Sequence, residues 1–150
     1  MKIDLEHDGV EFGLDRFVAA QSSVYASALA EIKAMRKRTH WMWFIFPQLR
    51  GLGSSEMADY FGISGLEEAK AYMAHTQLGG RLVECTLAMC EAPTNDVHNI
   101  LGRVDAEKFG SCMTIFEIAD QNQRCFADAL RKFFNGERDH RTLTRIKTHS

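Results

Sequence analysis

Three groups of residues have the types and spacing for chemistry. The string His40-Trp41-Met42-Trp43-Phe44-Ile45-Phe46-Pro47-Gln48 places both tryptophans of the chain almost side by side. Aromatic faces stack on flat ligands such as nucleobases or nicotinamide, and His40 or Gln48 can fix a ligand edge by hydrogen bonding. A wholly apolar run must also be buried somewhere, so Trp41, Phe44 and Phe46 read as core. Trp43 is left as an aromatic candidate for ligand contact, with His40 at the polar edge of the run. The second group is Arg50-Gly51-Leu52-Gly53-Ser54-Ser55. Gly51 and Gly53 let backbone approach a ligand closely, Ser54 adds a hydroxyl at a helix start whose free N–H groups favour anions, and Arg50 adds a cation. The string lacks the strand context and Lys-Ser/Thr ending of a P-loop and is not GxGxxG, so an ordinary glycine loop with a serine cap competes with that reading.

The third group is Asp105, Lys108 and Ser111, which recur at i, i+3 and i+6. On a helix they form a slanting polar strip beside the apolar face of Phe109, Cys112 and Phe116. An acid, an amine and a hydroxyl at a core edge can make a site, and Asp105 with Lys108 are the catalytic candidates if there is catalysis. The plainer alternative is a helix N-cap at Asp105 and a surface ion pair. There is no GxSxG elbow and no HExxH. Cys112 has no identifiable base, so no thiol enzyme is expected. Cys85, Cys90, Cys112 and Cys125 lack zinc spacing and fall in helical patterns, so free thiols are expected, with no metal and no cofactor.

These residues need elements to hold them. The chain has 150 residues, 45% apolar and 25% charged, with a formal net charge of −2. That is the size and balance of one globular domain, and it favours neither nucleic acid nor a membrane surface. No apolar run approaches the roughly 18 residues that span a bilayer, and the acidic start lacks the pattern of a signal peptide. A cytoplasmic location is the default expectation. Residues 1–13 read as a flexible leader and 14–150 as a single helical domain.

Asp15 is a good N-cap for a first helix in which Phe17, Val18, Gln21, Tyr25, Ala28, Leu29, Ile32 and Met35 recur at spacings of three and four. Ser54 or Ser55 can cap a short helix to Phe61. Ser64-Gly65-Leu66-Glu67 has capping-box spacing, and Gly79-Gly80 reads as a break or hinge. Further helices are expected from Thr94 to Leu101 with Gly102 as stop, from Asp105, around Phe126 to Phe133 with Asn135-Gly136 as stop, and from Asp139. With no sustained period-two alternation, the fold class is all-α, a compact multihelical domain of about six to eight helices.

The string over residues 40–48 resembles domain-of-unknown-function family 1810, whose members have sometimes been labelled calpastatin. The resemblance extends through Arg16-Phe17, Ala20-Gln21, Tyr25, Gly51-Leu52-Gly53-Ser54, Glu68-Ala69, Tyr72, Leu78-Gly79 and Arg81-Leu82. It continues through Gly102, Asp105, Lys108, Ser111, Met113-Thr114, Phe116, Gly136, Asp139 and Thr142-Leu143. It departs at Met35-Arg36-Lys37-Arg38-Thr39, where relatives usually carry a Gly-x-Lys before the His-Trp pair, and this bears on the local turn. The resemblance implies a compact multihelical fold and no established activity. The calpastatin label implies a disordered inhibitor, which this ordered composition contradicts.

Three functions are therefore open. One is binding of a small polar or phosphorylated, nucleotide-like ligand beside the aromatic string. Another is a hydrolase acting on ADP-ribose-type N-glycosidic metabolites, which needs a carboxylate and a polar clamp in one cleft. The third is a structural or interaction domain without a pocket. One concave site shared by His40, Gln48, Ser54, Asp105, Lys108 and Ser111 would favour the first two, with a small anion as its natural occupant, and dispersed polar groups would favour the third.

Overall fold

The computed structural model describes residues 12–149. The expected leader lies outside them except for Phe12 and Gly13, whose carbonyls accept hydrogen bonds from the Arg16 guanidinium at 2.8 and 2.9 Å. Ten helices are present among the described residues, more than the six to eight expected. They are α1 (Asp15–Gln21), α2 (Tyr25–Lys33), α3 (Met42–Ile45), α4 (Glu56–Tyr60) and α5 (Leu66–Ala74). There follow α6 (Thr76–Cys90), α7 (Val97–Leu101), α8 (Arg103–Ala119), α9 (Cys125–Phe134) and α10 (His140–His149). No described helix is long and apolar enough to cross a membrane.

The extra helices have two causes. The apolar spacing expected to run from Asp15 to Met35 is divided at Ser22–Val24, where the Ser22 hydroxyl donates back to the Ala19 carbonyl at 3.2 Å and competes with helix continuation. The aromatic run contributes a helical turn of its own, α3.

Other boundaries differ locally. Gly79 and Gly80 do not break the chain but lie inside α6, because the break falls one turn earlier at His75, whose Nδ1 accepts the Leu78 N–H at 3.2 Å. Gly79 is needed there for space, since a Cβ would sit 2.3 Å from the Met73 carbonyl oxygen. In the Ser64–Glu67 box it is Glu68, not Glu67, that reaches back, accepting the Ser64 N–H at 2.7 Å. Asp15 lies in the first turn of α1 with no capping bond made by the residue before it. Met35 adopts φ 61, the left-handed conformation natural to glycine, so the turn after α2 keeps its shape despite the side chain.

Helix α8 is the hub. It packs on α5, α7, α9 and α10, while α6 packs on α2, α5 and α9. Between them runs a chain of buried rings, with Phe17 on Tyr72 at 5.1 Å, Tyr72 on Phe116 at 5.2 Å and Phe116 on Phe126 at 6.0 Å between centroids. Phe46 joins it edge-on to Phe109 at 4.9 Å. Trp41, Phe44 and Phe46 are buried as core. One parallel bridge, Leu49 to Ile63, is the only extended pairing among the described residues, and it fixes the backbone of Gln48, whose carbonyl accepts the Ile63 N–H at 2.9 Å. All four cysteines carry free thiols.

Candidate functional site

One face of α8 floors a large groove. Val104, Glu107, Lys108 and Ser111 line it, separated by three, four and seven positions, the spacing that stacks side chains on one helix face. The second wall is the turn after α9. Gly110 lets the Phe134 ring come so close to α8 that a Cβ would lie 3.1 Å from it, and Asn135 and Gly136 then reverse the chain at φ 56 and 80. Asp139 caps α10 through its Oδ2, which accepts the Thr142 N–H at 2.9 Å and hydroxyl at 2.6 Å. The Asp139 N–H donates to Thr114 on α8 at 2.8 Å, so the start of α10 is docked at the deep end of the floor. The third wall is the glycine loop, with Gln48, Leu52 and Gly53. Arg141 and Arg145 of α10 strap this loop by donating to the carbonyls of Leu52 and Arg50, each at 2.7 Å. The groove encloses about 800 Å³.

The charges divide into bound and free ones. Arg138 donates twice to the Glu117 carboxylate, at 2.8 and 3.1 Å, and that pairing raises the guanidinium above its ordinary pKa. The Asp139 carboxylate is engaged in its cap. Lys108 stands over the Trp43 ring at 5.4 Å and faces the Asp105 carboxylate at 3.7 Å, an ion pair without a hydrogen bond. Ser111 is only 5% exposed, lines the groove, and its hydroxyl makes no hydrogen bond among the described residues. The Gln48 side-chain amide is equally unpartnered at the opposite wall. Buried and half-buried polar groups normally find partners, so these two are positioned for an occupant or for ordered solvent.

Of the residues singled out in the sequence, Gln48, Gly53, Lys108 and Ser111 line the groove. Trp43 lines a small adjoining hollow that shares Gln48 and Lys108 with it. The others lie elsewhere, for identifiable reasons. His40 is exposed ahead of α3. Gly51 at φ 98 lies beneath the Arg145 guanidinium, where a Cβ would collide with Nη2, so it serves the strap. Ser54 is exposed, and the cap of α4 is Ser55, whose Oγ accepts the Ala58 N–H at 3.0 Å. Asp105 is not an N-cap, because α8 starts earlier, after Gly102 at φ 89. Its carboxylate lies off the groove, held by Lys37 at 3.0 Å. Sequence reasoning missed the wall from Glu137 to Arg141. Asn135-Gly136 and Asp139 were readable as a stop and a start, but nothing local says that α10 returns onto a loop about 90 residues earlier.

The model of a family described as "Protein of unknown function (DUF1810)" matches residues 11–146. A conserved hypothetical protein from Mycobacterium tuberculosis, known from its crystal structure, is 47% identical to this chain, with 91% of this chain and 98% of that one covered and a TM-score of 0.90. No curated protein matches.

Proposed function

We propose, on the premise that the chain belongs to the DUF1810 family and takes no activity from that membership, that its groove binds a small phosphorylated ligand of nucleotide size. The observation that carries this reading is the Ser111 hydroxyl, which makes no hydrogen bond among the described residues and opens onto the groove one turn along α8 from the ammonium of Lys108. Around them lie donors for an anion. Lys108 makes no hydrogen bond among the described residues beyond its long ion pair with Asp105, and Arg141 uses one nitrogen on Leu52. The groove volume falls in the range of small-molecule sites. Trp43 supplies an apolar face next to the cation, and Leu52, Val104 and Phe134 supply apolar wall. Hydrolysis in the same groove would need a carboxylate facing it. Asp105 does not, whereas Glu107 and Glu137 line it, and no specific observation favours hydrolysis over binding.

Isothermal titration tests the reading with AMP, ribose 5-phosphate and adenosine. The two phosphates are expected to bind and adenosine to fail. Lys108→Ala is expected to weaken binding by about tenfold or more, the effect of losing a hydrogen bond to a charged group. Absence of binding by both phosphates, or equal affinity in the variant, would overturn the reading in favour of an interaction domain without a ligand.

A further inference from the structure

We infer that Lys37, which does not line the groove, is a positioning residue that keeps Lys108 available to an anion by occupying Asp105. The inference rests on the ligand-binding reading above. Asp105 and Lys108 are three residues apart on α8, a spacing at which a lone acid and amine on an exposed helix close into a direct pair. Here they do not. Lys37 Nζ reaches Asp105 Oδ2 at 3.0 Å, while Lys108 Nζ remains 3.7 Å from Oδ1, beyond hydrogen-bond reach. Two cations thus compete for one carboxylate, and the cation outside the groove has the shorter contact.

Lys37 is held for this purpose from every side. Its side chain is 10% exposed, against 18% for Asp105 and 22% for Lys108. Its N–H donates to the Ile100 carbonyl at 2.8 Å, its Nζ donates to the Thr39 carbonyl at 2.6 Å, and the ammonium lies 5.0 Å from the centroid of the Trp41 ring. The turn that delivers it keeps Met35 at φ 61, a conformation that side chains rarely adopt. The strain persists because the surrounding contacts determine the turn. The outcome is an alternation across the two tryptophans: Lys37 over Trp41, Asp105 between the cations, Lys108 over Trp43.

Without the Lys37 charge, the half-buried Asp105 carboxylate turns to its other cation. Lys108 is drawn into a full hydrogen-bonded pair, its donors leave the groove, and an anion there loses its main partner. Removing the Asp105 charge as well releases Lys108 again. A residue that never touches the ligand therefore sets its affinity, through a carboxylate that does not touch it either.

The test uses the full chain, with AMP and inorganic phosphate as probes. Lys37→Met is expected to weaken both by about tenfold, Lys37→Arg to bind as wild type, and Lys37→Met with Asp105→Asn to return to within about twofold of wild type. Arg103→Met removes an equal charge from the start of α8 without touching Asp105, and should change neither affinity by more than about twofold. Lys37→Met at wild-type affinity overturns the inference. So does a double variant as weak as Lys37→Met, which is what a purely structural role gives, or an equal loss in Arg103→Met, which is what unspecific charge gives. Fluorine NMR of 5-fluorotryptophan protein without ligand supplies an independent arm. The Trp43 resonance, assigned by Trp43→Phe, should move in Lys37→Met as Lys108 leaves the ring, and an unmoved resonance overturns the inference. If wild type binds neither probe, the ligand reading falls and the fluorine measurement alone decides the role of Lys37.

Discussion

At the scale of single residues, a contact outside the groove joins Glu31 to Trp41. The Trp41 ring is fully buried and its Nε1 donates to Glu31 Oε1 at 2.8 Å. The same carboxylate accepts the N–H groups of Arg38 and Thr39 at 2.8 and 3.1 Å and the Thr39 hydroxyl at 2.7 Å. Partial burial opposes ionisation of Glu31, but these donors outweigh it and hold the carboxyl at about 2 instead of 4.5. The folded-state pKa lies below the unfolded one, so this carboxylate stabilises the fold fully above about 4.5 and ceases to do so as the pH falls towards 2. Glu31→Gln should therefore flatten the fall of stability through that window, and urea melts at stepped pH would show it. A variant with the wild-type slope would mean the carboxylate is solvated. Trp41→Ala removes the ring and should cost about 3–5 kcal/mol by leaving a cavity, whereas a normal melting temperature would place the ring at the surface.

At the scale of elements, Met35 and Asp139 give two opposite expectations. Met35 is 37% exposed and strained at φ 61, so Met35→Gly loses little packing and relieves a left-handed side chain. The relief, about 1–2 kcal/mol, exceeds the added backbone entropy of glycine, and a net gain of about 0.5 kcal/mol is expected in thermal melts. Asp139→Ala removes the cap of α10 and should cost about 1 kcal/mol. It should also weaken AMP binding in titrations, because α10 carries Arg141 into the groove wall. A variant of full stability would show the cap bonds to be dispensable. Helix existence was legible in the sequence because one side of each helix must face the core, and that need writes a period near 3.6 into the chain. The breaks were less legible. Ser22–Val24 interrupts an unbroken apolar spacing, and Gly79 resembles a hinge although it marks a close approach to Met73. Lys108, Ser111 and Gln48 were legible as polar positions beside apolar ones. Whether Asp105 served as cap or ion pair depended on where α8 starts, and the N-cap at Gly102 instead of Asp105 decided the matter.

At the scale of the whole molecule, the core explains the thiols. Cys85, Cys112 and Cys125 are buried and Cys90 is half-buried. Burial is the main cause of their raised pKa values, and it pushes Cys85 and Cys125 up to about 12. Titration of the native protein with a maleimide should find Cys90 reacting first and the other three only as the chain unfolds. Equal rates at all four would mean that the core opens locally. The straps from Arg141 to Leu52 and from Arg145 to Arg50 span 89 and 95 residues of sequence. Closing so long a loop is entropically slow, and its reward comes only when both ends are folded. On a ribosome the glycine loop emerges well before α10 exists, so its two arginine straps form only once α10 has been made. A chain cut before α10 would lack both straps, and with them the wall that Arg141 gives the groove.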